Sequence, residues 1–236
     1  MKLARYLPLE FRRKQLLRRT PAGPLRDYLA TPFPDRKLDY REISYLAMDL
    51  ETTGLDVKQD HILSVGMVEI KGDPIGLNID LGTAQHRIVS TPKTLPEASV
   101  VIHQLTDDLI ADGEAITPVL IDVLRSLTGK VLLAHHAAIE IGFLRSACQR
   151  IFGAPLLAPV VDTLALAQQQ LTRHNAVVGA GALRLAALRE HYHLPRYKAH
   201  NALTDAIAAA ELFLAQAAER SGNQGNLALN RLLLKI

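Results

Sequence analysis

The sequence predicts an α/β fold, in which helices flank a mixed sheet of five strands. In the first half, three apolar segments follow one another with short links, which favours antiparallel pairing. In the second half, short apolar segments alternate with helical periodicity, which favours parallel strands under covering helices. The 236 residues are 48% hydrophobic and 22% charged, so a packed core is expected.

The first three strands are predicted from stretches rich in Val, Ile and Leu. The first strand covers about residues 43–50, and the second covers residues 60–70. After a turn at residues 71–74, the third strand covers residues 75–89 with an interruption at Gly82. These strands are expected to form an antiparallel meander on one side of the sheet.

The second half supplies two short strands and most of the helices. The strands are expected at residues 131–134 and 158–162, and Asp162 is expected to cap the following helix rather than bind a metal. In open α/β sheets, functional sites gather at the carboxyl ends of parallel strands. Hydrophobic periodicity predicts helices at residues 118–127, 137–152, 163–170, 181–192 and 202–219.

Residues 1–42 are predicted to form a basic N-terminal arm. They carry eleven Lys and Arg against five Asp and Glu, whereas the remainder carries sixteen against nineteen. This distribution favours a polyanionic partner for the arm, but a solvated helix face explains the charge equally well. We expect an amphipathic helix within residues 1–20 and a connector at residues 25–42, where Pro32 and Pro34 disfavour a helix.

Composition argues against a membrane protein and favours a reducing compartment. No apolar run approaches membrane-spanning length, and the N-terminus lacks the apolar core of a secretory signal. Cys148 is the single cysteine, so the chain forms no internal disulfide. We therefore expect a cytoplasmic protein without a membrane partner. Residues 221–236 are expected to form a C-terminal tail or a short docking helix.

Two carboxylates mark the end of the first predicted strand. Asp49 and Glu51 lie two residues apart, so on an extended segment their side chains share a face. Paired carboxylates repel each other, and burying them costs free energy unless a cation neutralises them. Mg²⁺ or Mn²⁺ is the usual cation for such oxygen ligands. By itself the pair fits a solvated strand end better, so a site requires matching residues further along.

Matching residues follow in order. Glu140 comes shortly after the strand at residues 131–134, at the same predicted sheet edge. Asn201 is a good N-cap, so a helix would begin at the next residue. His200 would then lie in the incoming loop and Asp205 one turn into the helix, where both can face one site. Each residue alone fits a structural role, but the ordered set favours function.

This ordered set resembles the DEDDh 3′–5′ exonucleases, a superfamily that includes the epsilon proofreading subunit of bacterial replicative DNA polymerase and ribonuclease T. The resemblance implies a ribonuclease-H-like exonuclease domain over residues 43–220. The three main motifs are residues 49–55, residues 134–144 and His200 with Asp205, and residues 102–106 and 161–164 are similar to two lesser motifs.

The resemblance implies hydrolysis of phosphodiester bonds at the 3′ end of single-stranded DNA or RNA with two divalent cations, Mg²⁺ or Mn²⁺. Asp49 would bridge both cations, whereas Glu51 and Asp205 would hold the cation that carries the attacking water. Glu140 would serve the other cation, and His200 would accept the proton of the water. A polymerase or another protein is a further expected partner.

The resemblance also implies residues around the terminal nucleotide, although His103 fits a structural role equally well. These residues are Thr52, Gly54, Leu55, Ser99, His103 and Ile139.

Four positions depart from the superfamily pattern. Glu140 replaces an Asp, so its longer side chain must fold back or reach the metal through water. Ile139 replaces a Phe and gives up base stacking, typically about 1–3 kcal/mol per base. His136 replaces an Asn and Gln104 a Gly. These departures leave open an alternative function, a non-catalytic nucleic-acid-binding or polymerase-associated protein with an exonuclease-like fold.

Overall fold

A computed structural model describes the chain over residues 7–73, 76–91, 107–173, 179, 181–198, 200–222 and 225–234. The strands are β1 (Tyr45–Thr52), β2 (Ile62–Gly72), β3 (Leu77–Ile88), β4 (Val131–Ala134) and β5 (Val160–Asp162). The helices are α1 (Leu9–Arg19), α2 (Pro24–Ala30), α3 (Asp107–Ala111), α4 (Ile116–Leu127), α5 (Ala138–Phe152), α6 (Thr163–Arg173), α7 (Leu185–His191) and α8 (Ala202–Ser221). Among these described helices, none has both the length and the apolar composition needed to cross a bilayer.

The five strands form one mixed sheet in the order β3-β2-β1-β4-β5. β1 pairs antiparallel with β2, and β2 pairs antiparallel with β3. β4 lies parallel between β1 and β5. The predicted fold class, an antiparallel meander beside parallel strands, is confirmed.

Helices cover both faces of the central strand, which is why β1 is apolar over most of its length. Tyr45 and Ala47 point into a core shared with Phe213 of α8. Leu46 and Met48 point to the opposite core, which contains residues of α2, α4 and α5. The face of Tyr45 and Ala47 is also the face of the two acidic residues that follow them in β1.

β3 runs through Gly82, and the interruption expected there takes the form of a register shift in its pairing with β2. Met67 pairs with Gln85 and Glu69 pairs with Asp80, so residues 81–84 of β3, which include Gly82, are the extra residues opposite Val68. The helix predicted over residues 181–192 is shorter, because residues 181–184 form turns before α7.

The residues before β1 are folded against the sheet. The expected connector contains α2, which begins with Pro24, a residue well suited to a first helical position because it lacks an N–H. Leu25, Tyr28 and Leu29 of α2 are buried in the same core as β1. The domain boundary near residue 42 remains a prediction.

The last described residues also lie against the domain. Ala228 forms an antiparallel bridge with Asp39, and Leu233 forms one with Val161 of β5. Between these bridges, Leu229 and Leu232 are buried beside a short 3-10 turn. Residues 225–234 therefore help to cover the α8 face of the sheet.

Candidate active site

The end of β1 supplies the first two carboxylates. Asp49 pairs in register with Gly66 of β2, and Glu51 pairs with Ser64. The register shifts between Glu51 and Thr52, as often occurs where a strand ends at a site. Asp49 is half-buried and Glu51 is buried, and both project to the α8 face.

The start of α8 supplies the next two residues, as the sequence predicted. The Asn201 side chain accepts a hydrogen bond from the N–H of Thr204, so it caps the helix. His200 therefore lies outside α8, with a positive φ of 70°. Its backbone N–H donates to Asp205 Oδ2 at 2.8 Å. This bond fixes Asp205 relative to the loop that carries the histidine.

A glycine in β2 allows α8 to approach the sheet. A Cβ at Gly66 would overlap the backbone of Ala202 and Leu203 in the first turn of α8. Since Gly66 is also the register partner of Asp49, the helix start reaches the sheet beside that carboxylate. The sequence analysis missed this residue, although a glycine inside an apolar strand is a known sign of close backbone approach.

Three carboxylates meet where β1 and α8 converge. One oxygen from each of Asp49, Glu51 and Asp205 lies within 4.8 Å of the others. Burial raises the pKa of Asp49 well above its usual value, and the nearby charges of Glu140, Glu51 and Asp205 raise it further. Burial and the charge of Glu51 also raise the pKa of Asp205. The cluster therefore resists full ionisation without a cation.

Glu140 lies beside this cluster but not within the set of oxygens that share 4.8 Å. It occupies the first turn of α5 and is only 2% exposed. Its Oε2 has no hydrogen-bond partner among the described residues. Burial, aided by the charges of Asp162 and Glu51, raises the pKa of Glu140 to about 8. An unsatisfied buried carboxylate oxygen is costly, so this atom suits a ligand.

Asp162 holds the turn that precedes Glu140. Its carboxylate accepts hydrogen bonds from the backbone N–H groups of His136 and Ala137 at 2.9 and 3.1 Å. It also accepts from the N–H of Leu164 at 3.0 Å, as expected for the cap of α6. The predicted capping role is confirmed. The additional bonds to the β4–α5 turn join residues distant in sequence, so local spacing gave no sign of them.

A cavity of about 590 Å³ opens beside the carboxylates. Asp49, His200 and Asp205 line it together. The described part of its lining also includes His135, His136, Leu164, Gly179, Gly181, Leu183, Arg184, Leu185 and Ala186. Arg184 was not predicted from the sequence, because a single arginine before a helix belongs to no recognisable motif.

His135 forms hydrogen bonds with two separate segments of the cavity wall. Its Nε2 lies 3.1 Å from the carbonyl oxygen of Leu183, which can only accept, so Nε2 carries the proton. Its Nδ1 then accepts from the Thr163 hydroxyl at 2.8 Å. Burial lowers the pKa of His135, which favours this neutral form. The residue therefore positions the segment before α7.

The predicted nucleotide-binding residues are only partly brought together. The Thr52 hydroxyl donates to the Gly54 carbonyl at 2.7 Å, and a Cβ at Gly54 would overlap the Asp60 carboxylate. Leu55 is 76% exposed, whereas Ile139 packs against the core. Neither Leu55 nor Ile139 is among the described residues that line the 590 Å³ cavity. Ser99 and His103 lie outside the described residues.

A model of the exonuclease family, RNase_T, matches residues 46–213. The match covers the sheet and every carboxylate of the cluster, so the chain belongs to this family.

Two similar proteins carry DNA polymerase III names. DNA polymerase III PolC-type of Thermotoga maritima is 29% identical over 175 residues, which cover 74% of this chain and 12% of that protein. DNA polymerase III subunit epsilon of Treponema pallidum is 28% identical over 187 residues, which cover 79% of this chain and 82% of that protein. The chain thus spans about an eighth of the first relative and most of the second.

Solved structures share the fold. One is the nuclease domain of 3′hExo, a DEDDh family member, bound to rAMP. It superposes with a TM-score of 0.61 over 75% of this chain and 92% of that chain, at 16% sequence identity. The likeness agrees with the ribonuclease-H-like sheet expected from the sequence.

Proposed function

We propose that this family member is a 3′–5′ exonuclease that hydrolyses phosphodiester bonds at the 3′ end of single-stranded DNA or RNA. Two divalent cations, Mg²⁺ or Mn²⁺, would be its cofactors, and His200 would be its general base. The observation that carries the proposal is the convergence of Asp49, Glu51 and Asp205 within 4.8 Å, in a cavity that His200 also lines.

The residues present fit divalent cations. Carboxylate oxygens are the preferred ligands of Mg²⁺ and Mn²⁺. Burial, and after it the neighbouring like charges, raise the pKa values of Asp49 and Asp205, so ionising these groups costs free energy that a cation would offset. The unsatisfied Oε2 of Glu140 is a fourth oxygen that lacks a partner among the described residues. We therefore assign as metal ligands the four carboxylates of Asp49, Glu51, Glu140 and Asp205.

The cations, when bound, would activate a water molecule and stabilise the charge that develops on the leaving 3′ oxygen. The chain's own residues would position the reacting groups. His200 would accept the proton of the attacking water, a role for which histidine suits neutral pH. Asp205 accepts the backbone N–H of His200 and so would hold the base beside the reacting phosphate.

Asp162 would act as a positioning residue in this scheme. Its carboxylate binds the N–H groups of His136 and Ala137, and the turn they form leads into the first turn of α5. That turn carries Glu140, whose longer side chain must reach the site from a fixed backbone. The hydrogen bonds that Asp162 accepts therefore fix the backbone position from which the Glu140 side chain extends toward the site.

Partners and location are part of the same proposal. The polymerase names of the relatives support a DNA substrate and a polymerase partner, whereas the rAMP complex of a structural neighbour supports RNA. Thr52, Gly54, Leu55, Ser99, His103 and Ile139 remain the residues proposed to surround the terminal nucleotide. We also propose a cytoplasmic location, motivated by the lone Cys148.

Digestion of end-labelled substrates tests the proposal. The full chain would be incubated with 5′-labelled single-stranded DNA and RNA, with Mg²⁺, Mn²⁺ or EDTA. We expect a ladder of products shortened from the 3′ end that requires the metal, and the sugar preference follows from the two substrates. Intact strands under every metal condition, with binding retained, would support the non-catalytic alternative that Glu140, His136 and Ile139 motivate.

A further inference from the structure

The N-terminal helix, α1, lies outside the residues matched by the family model, and it lines a hollow with α5, the helix that carries Glu140. Leu9 and Arg12 of α1 line a small hollow together with Ile141 and Arg145 of α5. At the other end, Pro21 lies against Gly153, just after α5. The first turn of α1 therefore lies near the start of α5, and the residues after α1 lie near the end of α5.

This arrangement brings the start of α1 near the start of α5, the helix that carries Glu140. Ile141 directly follows Glu140, and Arg145 lies five residues after it, about 7.5 Å along the helix axis. Arg12 and Arg145 line the same hollow, and Arg145 lies about one and a half helical turns after Glu140. The start of α5 thus carries both Glu140 of the site and Ile141 of the hollow that α1 lines.

The side chains on the buried side of α1 all have partners within the domain. At about 100° per residue, Arg13, Leu16 and Leu17 fall on one side of the helix. Leu16 and Leu17 pack against the core, and the Arg13 guanidinium bonds to the Leu29 carbonyl and to Glu10. Glu10, the acidic residue of α1, is therefore paired with the buried Arg13.

The opposite side of α1 is basic and contains an exposed aromatic ring. Phe11 is 47% exposed, and Lys14, Arg18 and Arg19 are exposed around it. Among the described residues, no carboxylate forms an ion pair with Arg18 or Arg19. The helix dipole favours cations in the last turn, but it does not account for an exposed Phe11 in the first. We call Phe11, Arg12, Lys14, Arg18 and Arg19 the basic face.

We propose that the basic face binds the single-stranded nucleic acid upstream of the 3′-terminal nucleotide. Single strands are bound by cations that follow the phosphates and by aromatic rings on which bases stack, and the basic face combines both. This inference rests on the proposed function for its choice of a nucleic acid. Arg145, which lines the hollow together with Arg12, would continue the path toward the site.

A second surface beside the site fits a polyanion less well. A cavity of about 630 Å³ is lined by α7 and by the segment after it. Two of its three arginines are engaged with acids, because Arg189 bonds to Glu211 at 2.6 Å and Arg196 bonds to Glu190 at 2.5 Å. Phosphate binding there would have to displace these carboxylates, whereas Arg18 and Arg19 can bind directly.

Equilibrium binding in EDTA tests the inference without depending on turnover. Fluorescence anisotropy would follow 5′-fluorescein-labelled dT20 and rU20 with the full chain over a series of salt concentrations. We expect Arg18→Ala/Arg19→Ala to reduce the slope of log affinity against log salt by about 1.4, because each phosphate contact on a single strand contributes about 0.7. Phe11→Ala should weaken binding about five- to a hundredfold and leave the salt slope unchanged.

The matched control is Arg36→Ala/Lys37→Ala, which removes the same charge from exposed residues in a segment that bonds to Asn230. It should keep the wild-type affinity and slope. Equal slopes for wild type and Arg18→Ala/Arg19→Ala, or no binding of either oligonucleotide by wild type, would overturn the inference. Binding to phosphatidylglycerol vesicles but not to dT20 or rU20 would overturn it in favour of a membrane surface. Binding that depends on the basic face, without any 3′ ladder in the digestion, would contradict only the proposed function.

Discussion

The carboxylate cluster and the basic face carry opposite charges, and the protein holds those charges in opposite ways. Asp49, Glu51 and Asp205 are brought together in or near the core, and the pKa values of Asp49 and Asp205 are raised. Arg18 and Arg19 stand apart in solvent. Charges that are buried close together lower the folding free energy available to the protein, which is consistent with a catalytic role. Exposed cations cost little stability, and they attract anionic ligands in a salt-dependent way. Substitutions in the cluster should therefore change rates, and substitutions on the basic face should change affinity.

Asp49→Asn should have the largest effect. It removes one charge of the cluster and one of the four carboxylates that would hold the cations. Metal stabilisation of the transition state amounts to several kcal/mol, so single-turnover digestion should slow by about 10³-fold or more. The melting temperature should not fall, since the repulsion with Glu51 and Asp205 is relieved. Asp112→Asn, an exposed acid, is the control, and a wild-type rate for Asp49→Asn would remove the cluster from catalysis.

His200→Ala should rank next. Loss of a general base typically costs about 10²- to 10⁴-fold in rate. The backbone N–H of His200 still donates to Asp205, so metal binding and folding should persist. The pH dependence of single-turnover rates is the informative measurement, because the acidic limb should flatten in the variant. His191→Ala provides the matched histidine control, and an unchanged pH profile for His200→Ala would exclude it as the base.

Gly66→Ala should damage the site through the fold. The added methyl group overlaps the backbone of Ala202 and Leu203, so the start of α8 must shift away from Asp49. Overpacking of this kind costs about 1–3 kcal/mol, which thermal melting should detect, and the digestion rate should fall with it. Gly82→Ala is the control, because a Cβ there meets only Asp80 Oδ1 at 3.1 Å. Equal melting temperatures for wild type and Gly66→Ala would show that the helix start is adjustable.

Local sequence order was sufficient for the parts of the site that depend on short spacing. The alternation in β1 placed Asp49 and Glu51 on one face, and the capping preference of Asn201 placed His200 outside α8. Close approach and distant hydrogen bonds were not accessible in this way. Gly66 matters because of a helix that begins 136 residues later, and Asp162 matters because its carboxylate reaches back to the turn at His136.

The N-terminal region shows the same limit. Its charge was visible in composition, but composition could not distinguish an extended arm from helices packed on the sheet. Leu25 and Leu29 are buried, and Arg13 occupies the interior side of α1 rather than solvent. Only the packing separates Arg13, which is structural, from Arg18 and Arg19, which face outward.

Glu140→Gln should have a smaller effect on stability, and its sign depends on pH. The pKa of Glu140 is raised to about 8 in the folded chain, so the metal-free native state holds a proton that the unfolded state releases at lower pH. Wild-type stability should therefore fall as pH rises from about 4.5 toward 8. Glu140→Gln does not lose stability in this way. Its melting temperature should therefore equal that of wild type at pH 4 and exceed it at pH 8.5. Each kcal/mol corresponds to about 2–4 °C at this chain length.

Thermal melting in EDTA tests this pH dependence. Saturating Mg²⁺ should reverse the ranking at pH 8.5, because it stabilises wild type, which has all four proposed ligands, more than it stabilises Glu140→Gln. Glu190→Gln, an exposed glutamate, should follow wild type throughout. A difference between Glu140→Gln and wild type that does not change with pH would show that Glu140 is ionised in the metal-free protein.

Isothermal titration of Mn²⁺ into the full chain tests the central claim most directly, because it asks whether the carboxylate cluster is a metal site. The cluster predicts saturable binding of two ions per chain in wild type and loss of at least one of them in Asp49→Asn, with Asp112→Asn unchanged. Identical isotherms for wild type and Asp49→Asn, or no saturable binding in wild type, would contradict the account and leave Asp49, Glu51 and Asp205 as a cluster of acids without catalytic purpose.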